Sequence, residues 1–181
     1  LKKVITPDDN YGFASGKTYM RFVIEYYAMG SGMNAISRLI STVFFVGYVP
    51  FAPGTCGTLA ACLLVWLCRP SVMWQLALLA AALIIGVVTS GITEKALGEK
   101  DSKHIVIDEF AGYLCSIIFL PLTPFYMAAA FILFRIFDIV KPPPVCYMEK
   151  IGGGWGIMLD DVVAGAITNI ILQVVFLSNL V

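Results

Sequence analysis

Acids are scarce in this chain, and they come grouped. Asp108 and Glu109 are adjacent, Asp160 and Asp161 are adjacent, and Asp138 stands between Arg135 and Lys141. Each group borders a stretch without charge: residues 110–134 and residues 162–181 carry none. Charged side chains at the edge of apolar segments are costly and mark function by default; a metal or a phosphate is the obvious reason for them. Glu94 and Asp101 are among the further acids in the charged segment before Asp108. The chain has a single His, His104, and no CxxC pair, so a cation held here meets only oxygen. That donor set suits a hard ion such as Mg²⁺, which also keeps several waters. Arg135 can grip phosphate oxygens with its fork, and Lys141 can act as a point charge.

Two glycine-containing stretches could complete an anion cradle. Pro53-Gly54-Thr55 reads as a turn feeding a helix, with Thr55 or Thr58 as its cap. The N–H groups of such a helix start suit a phosphate. Gly152-Gly153-Gly154-Trp155-Gly156 reads as a flexible loop able to turn backbone N–H groups toward an anion. Each element has a plain alternative. Arg135 can pair with Asp138 along one helix. The first-turn acids Asp108 and Glu109 can answer the helix dipole, or one can face a site while its neighbour supports it. The glycines can be only turns, His104 only a loop residue, and Trp155 only an interfacial anchor. No GxSxG, HExxH or full P-loop pattern occurs. Taken together, the residues point to a metal-assisted phosphate site at a membrane surface.

The elements that must carry these residues are apolar helices. The hydrophobic share is 59% and mean hydropathy is +0.86, well above soluble domains. Net charge is zero, which gives no basic surface for nucleic acid. From residue 39 to 93 the sole charge is Arg69. The expected fold is all-α: a polytopic membrane helical bundle with helical hairpins and a cytoplasm-facing polar site. Helices are expected over 35–49, from the Pro-Gly turn to about Leu67, and over 72–92. Arg69-Pro70 and Pro121-Leu-Thr-Pro124 break longer apolar blocks and predict two hairpins. Hairpins return Asp108, Asp138 and Asp160-Asp161 to one side, whereas a single span over 110–134 would separate Asp108 from Asp138. On the gathered side lie Lys95, Lys100, Lys103, Arg135, Lys141 and Lys150, against Arg69 on the other, which places the site in the cytoplasm. Residues 1–34 read as an N-terminal arm, interfacial or disordered, and 35–181 as the membrane-embedded domain. The five cysteines, with Cys56, Cys62 and Cys68 six apart, read as reduced and packed rather than as ligands.

Three blocks carry a family resemblance. Residues 50–61, with Pro53-Gly54-Thr55-Cys56-Gly57-Thr58, resemble a Pro-x-x-Pro-Gly-Thr-x-Gly-(Ser/Thr) turn. Asp101 with Ile105-Val106-Ile107-Asp108-Glu109 and Gly112 resembles Asp-Pro-x-x-Ile-Val-x-Asp-Glu-x-x-Gly. Arg135 through Pro144, with Gly156-Ile157-Met158-Leu159-Asp160-Asp161, resembles the most specific stretch of the set. These are the motifs of the phosphatidylglycerophosphatase A family of bacterial inner-membrane lipid phosphatases, and the likeness runs from about Phe44 to near the C-terminus. The chain departs from the pattern at Ser102, where the family often has Pro, and before the Pro-Gly turn, where only Gly47 remains of a glycine-rich approach.

The resemblance implies Mg²⁺-dependent hydrolysis of phosphatidylglycerol phosphate to phosphatidylglycerol and inorganic phosphate, in a multi-pass protein of the bacterial inner membrane whose site faces the cytoplasm. It implies that Asp108, Glu109, Asp138, Asp160 and Asp161 hold one or two Mg²⁺ and orient the attacking water. Arg135 and Lys141 neutralise the phosphate, and Thr55 helps cradle it. An aspartyl-phosphate intermediate is the alternative to direct water attack. The expected partners are that substrate and membrane lipid, not nucleic acid, and the oligomeric state is open. Two other readings stand: another lipid phosphoryl-transfer enzyme, and a non-enzymatic cation carrier or scaffold. A carrier should hold its acids near mid-bilayer, within its spans.

Overall fold

A computed structural model describes residues 32–99 and 102–178. The N-terminal arm up to residue 31, together with Lys100 and Asp101, lies outside the described residues. Those residues form helices and connecting turns, with no strand among them. In chain order the helices are α1 (Gly32–Ser41), α2 (Pro53–Cys68), α3 (Val72–Leu97), α4 (Ile107–Ile117), α5 (Pro124–Val140), α6 (Val145–Met148) and α7 (Gly153–Ser178).

The breaks fall at prolines for local reasons. Pro53 opens α2 and Pro124 opens α5, each at a position where a missing N–H is harmless. Thr123 caps α5, its side chain accepting from the Tyr126 N–H. Arg69 ends α2 in a left-handed conformation ahead of Pro70. Lys141 ends α5 the same way, ahead of the proline run.

The two hairpin turns meet. Arg69, in the α2–α3 turn, donates from Nη1 to the Leu122 carbonyl in the α4–α5 turn at 2.7 Å. Its guanidinium also lies over the Trp66 ring. Both turns therefore share the end of the bundle away from Asp108 and Asp138. The arms of the first hairpin are splayed rather than paired. α2 packs on α4 and α5, while α3 packs on α7, α1 and α4.

Helix α4 fills the gap and is the centre of the molecule. Its Tyr113, Leu114 and Ile117 pack with Ala61 and Val65 of α2, Phe134 of α5, and Ala164 and Leu172 of α7. It meets α7 over glycine: a Cβ on Gly112 would sit 2.8 Å from the Asp161 carbonyl oxygen, and one on Gly165 would strike the Gly112 carbonyl. Small residues let two helices approach this closely, the usual means of packing in lipid. At eleven residues α4 is only about 16 Å long, too short for a bilayer core of about 30 Å. Its broken end is satisfied from α7. Asn169 Nδ2 donates to the carbonyls of Ser116 (3.0 Å) and Ile118 (2.8 Å), and Gln173 Nε2 to Ile118 (3.0 Å).

Helices α3 and α7, of 26 residues each, are long and apolar enough to cross a membrane. Their outer faces expose Met73, Trp74, Ile84 and Val88 on α3, and Ile170, Val174 and Leu177 on α7. A continuous apolar exterior of this kind belongs in lipid.

Three local expectations are corrected. The first helix ends at Ser41 rather than at Pro50, because the Ser41 carbonyl accepts the Val106 N–H and the chain turns through left-handed Val43, Phe44 and Phe45. Neither Thr55 nor Thr58 caps α2: both lie inside it, and Thr58 Oγ1 donates back to the Gly54 carbonyl. The glycine block is not a loop beyond Gly153. Gly154, Trp155 and Gly156 are helical, and Gly154 lies so close to α3 that a Cβ there would strike the Val87 carbonyl.

Candidate active site

The polar end of the bundle holds one acidic cavity of about 220 Å³. Five expected acids line it: Asp108, Glu109, Asp138, Asp160 and Asp161, with Lys141. Three elements deliver them. Asp108 and Glu109 occupy the first turn of α4, Asp138 the last turn of α5, and Asp160 and Asp161 the interior of α7. Because α7 begins at Gly153, the last pair lies two turns inside the helix rather than at the edge of a loop.

Adjacent acids on a helix point about 100° apart, so each pair can serve two neighbours. The first acid of each pair is tied locally. Asp108 Oδ1 accepts the Glu109 N–H at 3.1 Å, and Asp160 Oδ1 accepts the Asp161 N–H at 3.0 Å. Oxygens of Asp108, Glu109 and Asp161 converge, one from each lying within 4.8 Å of the others. Two buried oxygens of this trio, Glu109 Oε2 and Asp161 Oδ2, have no hydrogen-bond partner. Buried anions without partners are strongly unfavourable. A hard divalent cation would satisfy them, and the all-oxygen donor set fits Mg²⁺.

The other two acids are already matched by cations. Asp138 Oδ2 lies 2.6 Å from Arg135 Nη1, which also reaches Glu109 Oε1 at 3.8 Å. Asp160 Oδ2 accepts from Lys141 Nζ at 2.8 Å. Lys141 lines the cavity, but Arg135 does not. The arginine is largely buried, bridging Glu109 and Asp138 from beside the cavity.

Thr55 is also absent from the cavity wall; it sits half-buried in the first turn of α2. Its neighbour Gly54 is the residue that matters there. A Cβ on Gly54 would strike Glu109 Oε1 and lie 3.2 Å from Arg135 Nη1. The start of α2 thus presses its backbone onto the acidic cluster, and only glycine leaves room.

Sequence reasoning missed three wall residues: Ser102, Lys103 and Ile105. They come from the segment between α3 and α4. That segment is pinned by a Ser102–Ile105 turn of 2.8 Å and by His104, which bonds the Gly47 carbonyl at 3.0 Å and stacks on Tyr48. Only the density of charge there could have pointed to it.

Comparison with known proteins identifies the family. A sequence model of the family described as Phosphatidylglycerophosphatase A matches residues 39–176. A *Bacteroides thetaiotaomicron* protein, provisionally named a phosphatidylinositol-3-phosphatase, is 41% identical over 146 residues, covering 75% of this chain and 91% of the relative. Phosphatidylglycerophosphatase A of *Escherichia coli* K12 is 40% identical over 139 residues, 75% of this chain and 80% of its own length. The *Haemophilus influenzae* protein of the same name is 37% identical over 139 residues, 75% of this chain and 85% of its own. No solved structure matches.

Proposed function

Since this chain belongs to the phosphatidylglycerophosphatase A family and is an enzyme of that kind, we propose that it hydrolyses the terminal phosphate of phosphatidylglycerol phosphate. The products are phosphatidylglycerol and inorganic phosphate. The observation that carries the reading is the convergence of Asp108, Glu109 and Asp161 with buried, unpartnered carboxylate oxygens, beside Lys141.

In this reading Asp108, Glu109 and Asp161 hold Mg²⁺. When bound, that ion polarises the phosphoryl oxygens and lowers the pKa of a coordinated water. Lys141, swung from Asp160, neutralises a phosphate oxygen, and Asp160 takes the proton of the attacking water and returns it to the departing glycerol oxygen. Arg135 keeps Glu109 and Asp138 in place. Through Gly54 the start of α2 borders the same cluster. The cavity is smaller than the roughly 300–1,000 Å³ of sites that enclose a whole small molecule, so it takes the headgroup phosphate and leaves the acyl chains in lipid.

The protein sits in the membrane through α3 and α7, as one multi-pass domain, in the bacterial inner membrane. Lysines cluster at the cavity end and Arg69 stands at the other, which supports a cytoplasmic site. A cation carrier is disfavoured: Asp108, Glu109 and Asp138 lie in terminal turns rather than in mid-span.

The test is phosphate release from phosphatidylglycerol phosphate in detergent micelles. Release with Mg²⁺ and none with a chelator is expected; no release from a folded, Mg²⁺-binding sample would overturn the reading. One relative carries a different head group in its name. A second reading is therefore a phosphatase for another phosphorylated phospholipid, and phosphatidylinositol 3-phosphate belongs in the same assay.

A further inference from the structure

Resting on that reading, we propose that Lys103 is the headgroup-recognition residue, binding the internal phosphodiester of the lipid while the terminal phosphate enters the acidic cluster. The substrate carries two phosphates a glycerol apart. One is the monoester that is cleaved, and the other is the diester that joins the head group to diacylglycerol. A site walled by five acids must supply cations for both.

Three cations stand at the cavity, and two are already engaged. Arg135 bridges Glu109 and Asp138, and Lys141 is bonded to Asp160. Lys103 lines the cavity, is exposed, and forms no ion pair among the described residues. Among the described residues it is the one wall cation whose charge is not answered by an acid. Its position at the rim follows from its exposure, whereas Asp108, Asp160 and Asp161 lie buried below.

The backbone that carries Lys103 is fixed on both sides. Ser102 and Ile105 close a turn around it. His104, its neighbour, is held by the Gly47 carbonyl and the Tyr48 ring. Val106 donates to the Ser41 carbonyl at 2.9 Å. A lysine on an anchored turn reaches one place repeatedly, and its ammonium acts on phosphate as a point charge.

The experiment uses the full chain in detergent micelles with Mg²⁺ and the variants Lys103→Gln and Lys103→Arg. Two soluble probes separate the phosphates: glycerophosphoglycerol has only the diester, and inorganic phosphate stands for the cleaved group. By calorimetry, Lys103→Gln should weaken glycerophosphoglycerol about tenfold, the size of one charge-assisted hydrogen bond, and leave inorganic phosphate unchanged. Lys103→Arg should restore binding. In turnover, Lys103→Gln should raise KM for phosphatidylglycerol phosphate by a similar factor with kcat held. Unchanged glycerophosphoglycerol affinity, or equal weakening of both probes, would overturn the proposal. Calorimetry does not need turnover. A wild-type protein that binds the probes but releases no phosphate would defeat the proposed reaction while still judging Lys103.

Discussion

Replacing Gly54 with Ala should disable the site without touching a single acid. The new methyl would clash with Glu109 Oε1 and stand 3.0 Å from Glu109 Cδ. Glu109 has to move by on the order of 1 Å before the contact becomes tolerable. It cannot simply retreat, because Arg135 Nη1 would itself be 3.2 Å from the methyl and is tied to Asp138 at 2.6 Å. A displacement of that size at a reacting centre costs about a hundredfold in rate. Overpacking adds about 1–3 kcal/mol of destabilisation, small enough for a membrane bundle to remain folded. The assay is phosphate release across a Mg²⁺ titration, with thermal unfolding in the same detergent as the control for folding. The expected result is a right-shifted Mg²⁺ dependence and about a hundredfold lower maximal rate in a folded protein. Activity near wild type at every Mg²⁺ concentration would refute the reasoning, since Glu109 would then tolerate displacement and could not be a cation ligand.

Asp108→Asn and Asp161→Asn should each cut phosphate release by on the order of a thousandfold or more in micelle assays, because each removes one oxygen donor's charge from the converging trio. Far-UV circular dichroism should show the helices intact. Arg135→Met leaves Glu109 and Asp138 without their shared cation, and breaking a buried pair in this way destabilises by about 3–5 kcal/mol, read as a lower denaturation midpoint. Asn169→Leu strands the Ser116 carbonyl, leaves Ile118 to Gln173 alone, and should lower stability by about 1–3 kcal/mol. Activity in that variant should fall less than in the acid variants, because the substitution lies at the far end of α4.

The parts of the site that could be read from the chain are those that local chemistry dictates. Pro121, Pro124 and Arg69-Pro70 interrupt helices wherever they stand, and the returning arms bring Asp108 and Asp138 to one end. What escaped was set by approach between distant segments. Gly54 and Gly154 look like turn residues because glycine usually is one, yet both are helical, and their missing side chains admit Glu109 and the Val87 carbonyl. The early end of α1 depends on a bond to Val106, more than sixty residues away. Lys103 joins the wall only because His104 and Tyr48 hold its turn there. Arg135 and Lys141 were legible as cations at the site and the Arg135–Asp138 pair as a one-helix alternative, but the reach of Arg135 to Glu109 and the Lys141–Asp160 pair were not.

The capping of α4 by Asn169 and Gln173 has a bearing on biogenesis. A segment of about 16 Å whose terminal carbonyls need amide donors cannot rest in lipid on its own. Those donors are on α7, which follows α4 in the chain. While translation is still short of residue 169, Asp108 and Glu109 ride on an element without a settled place in the bilayer. Until α7 is in place, the end of α4 lacks its amide donors and the acidic cluster lacks Asp161.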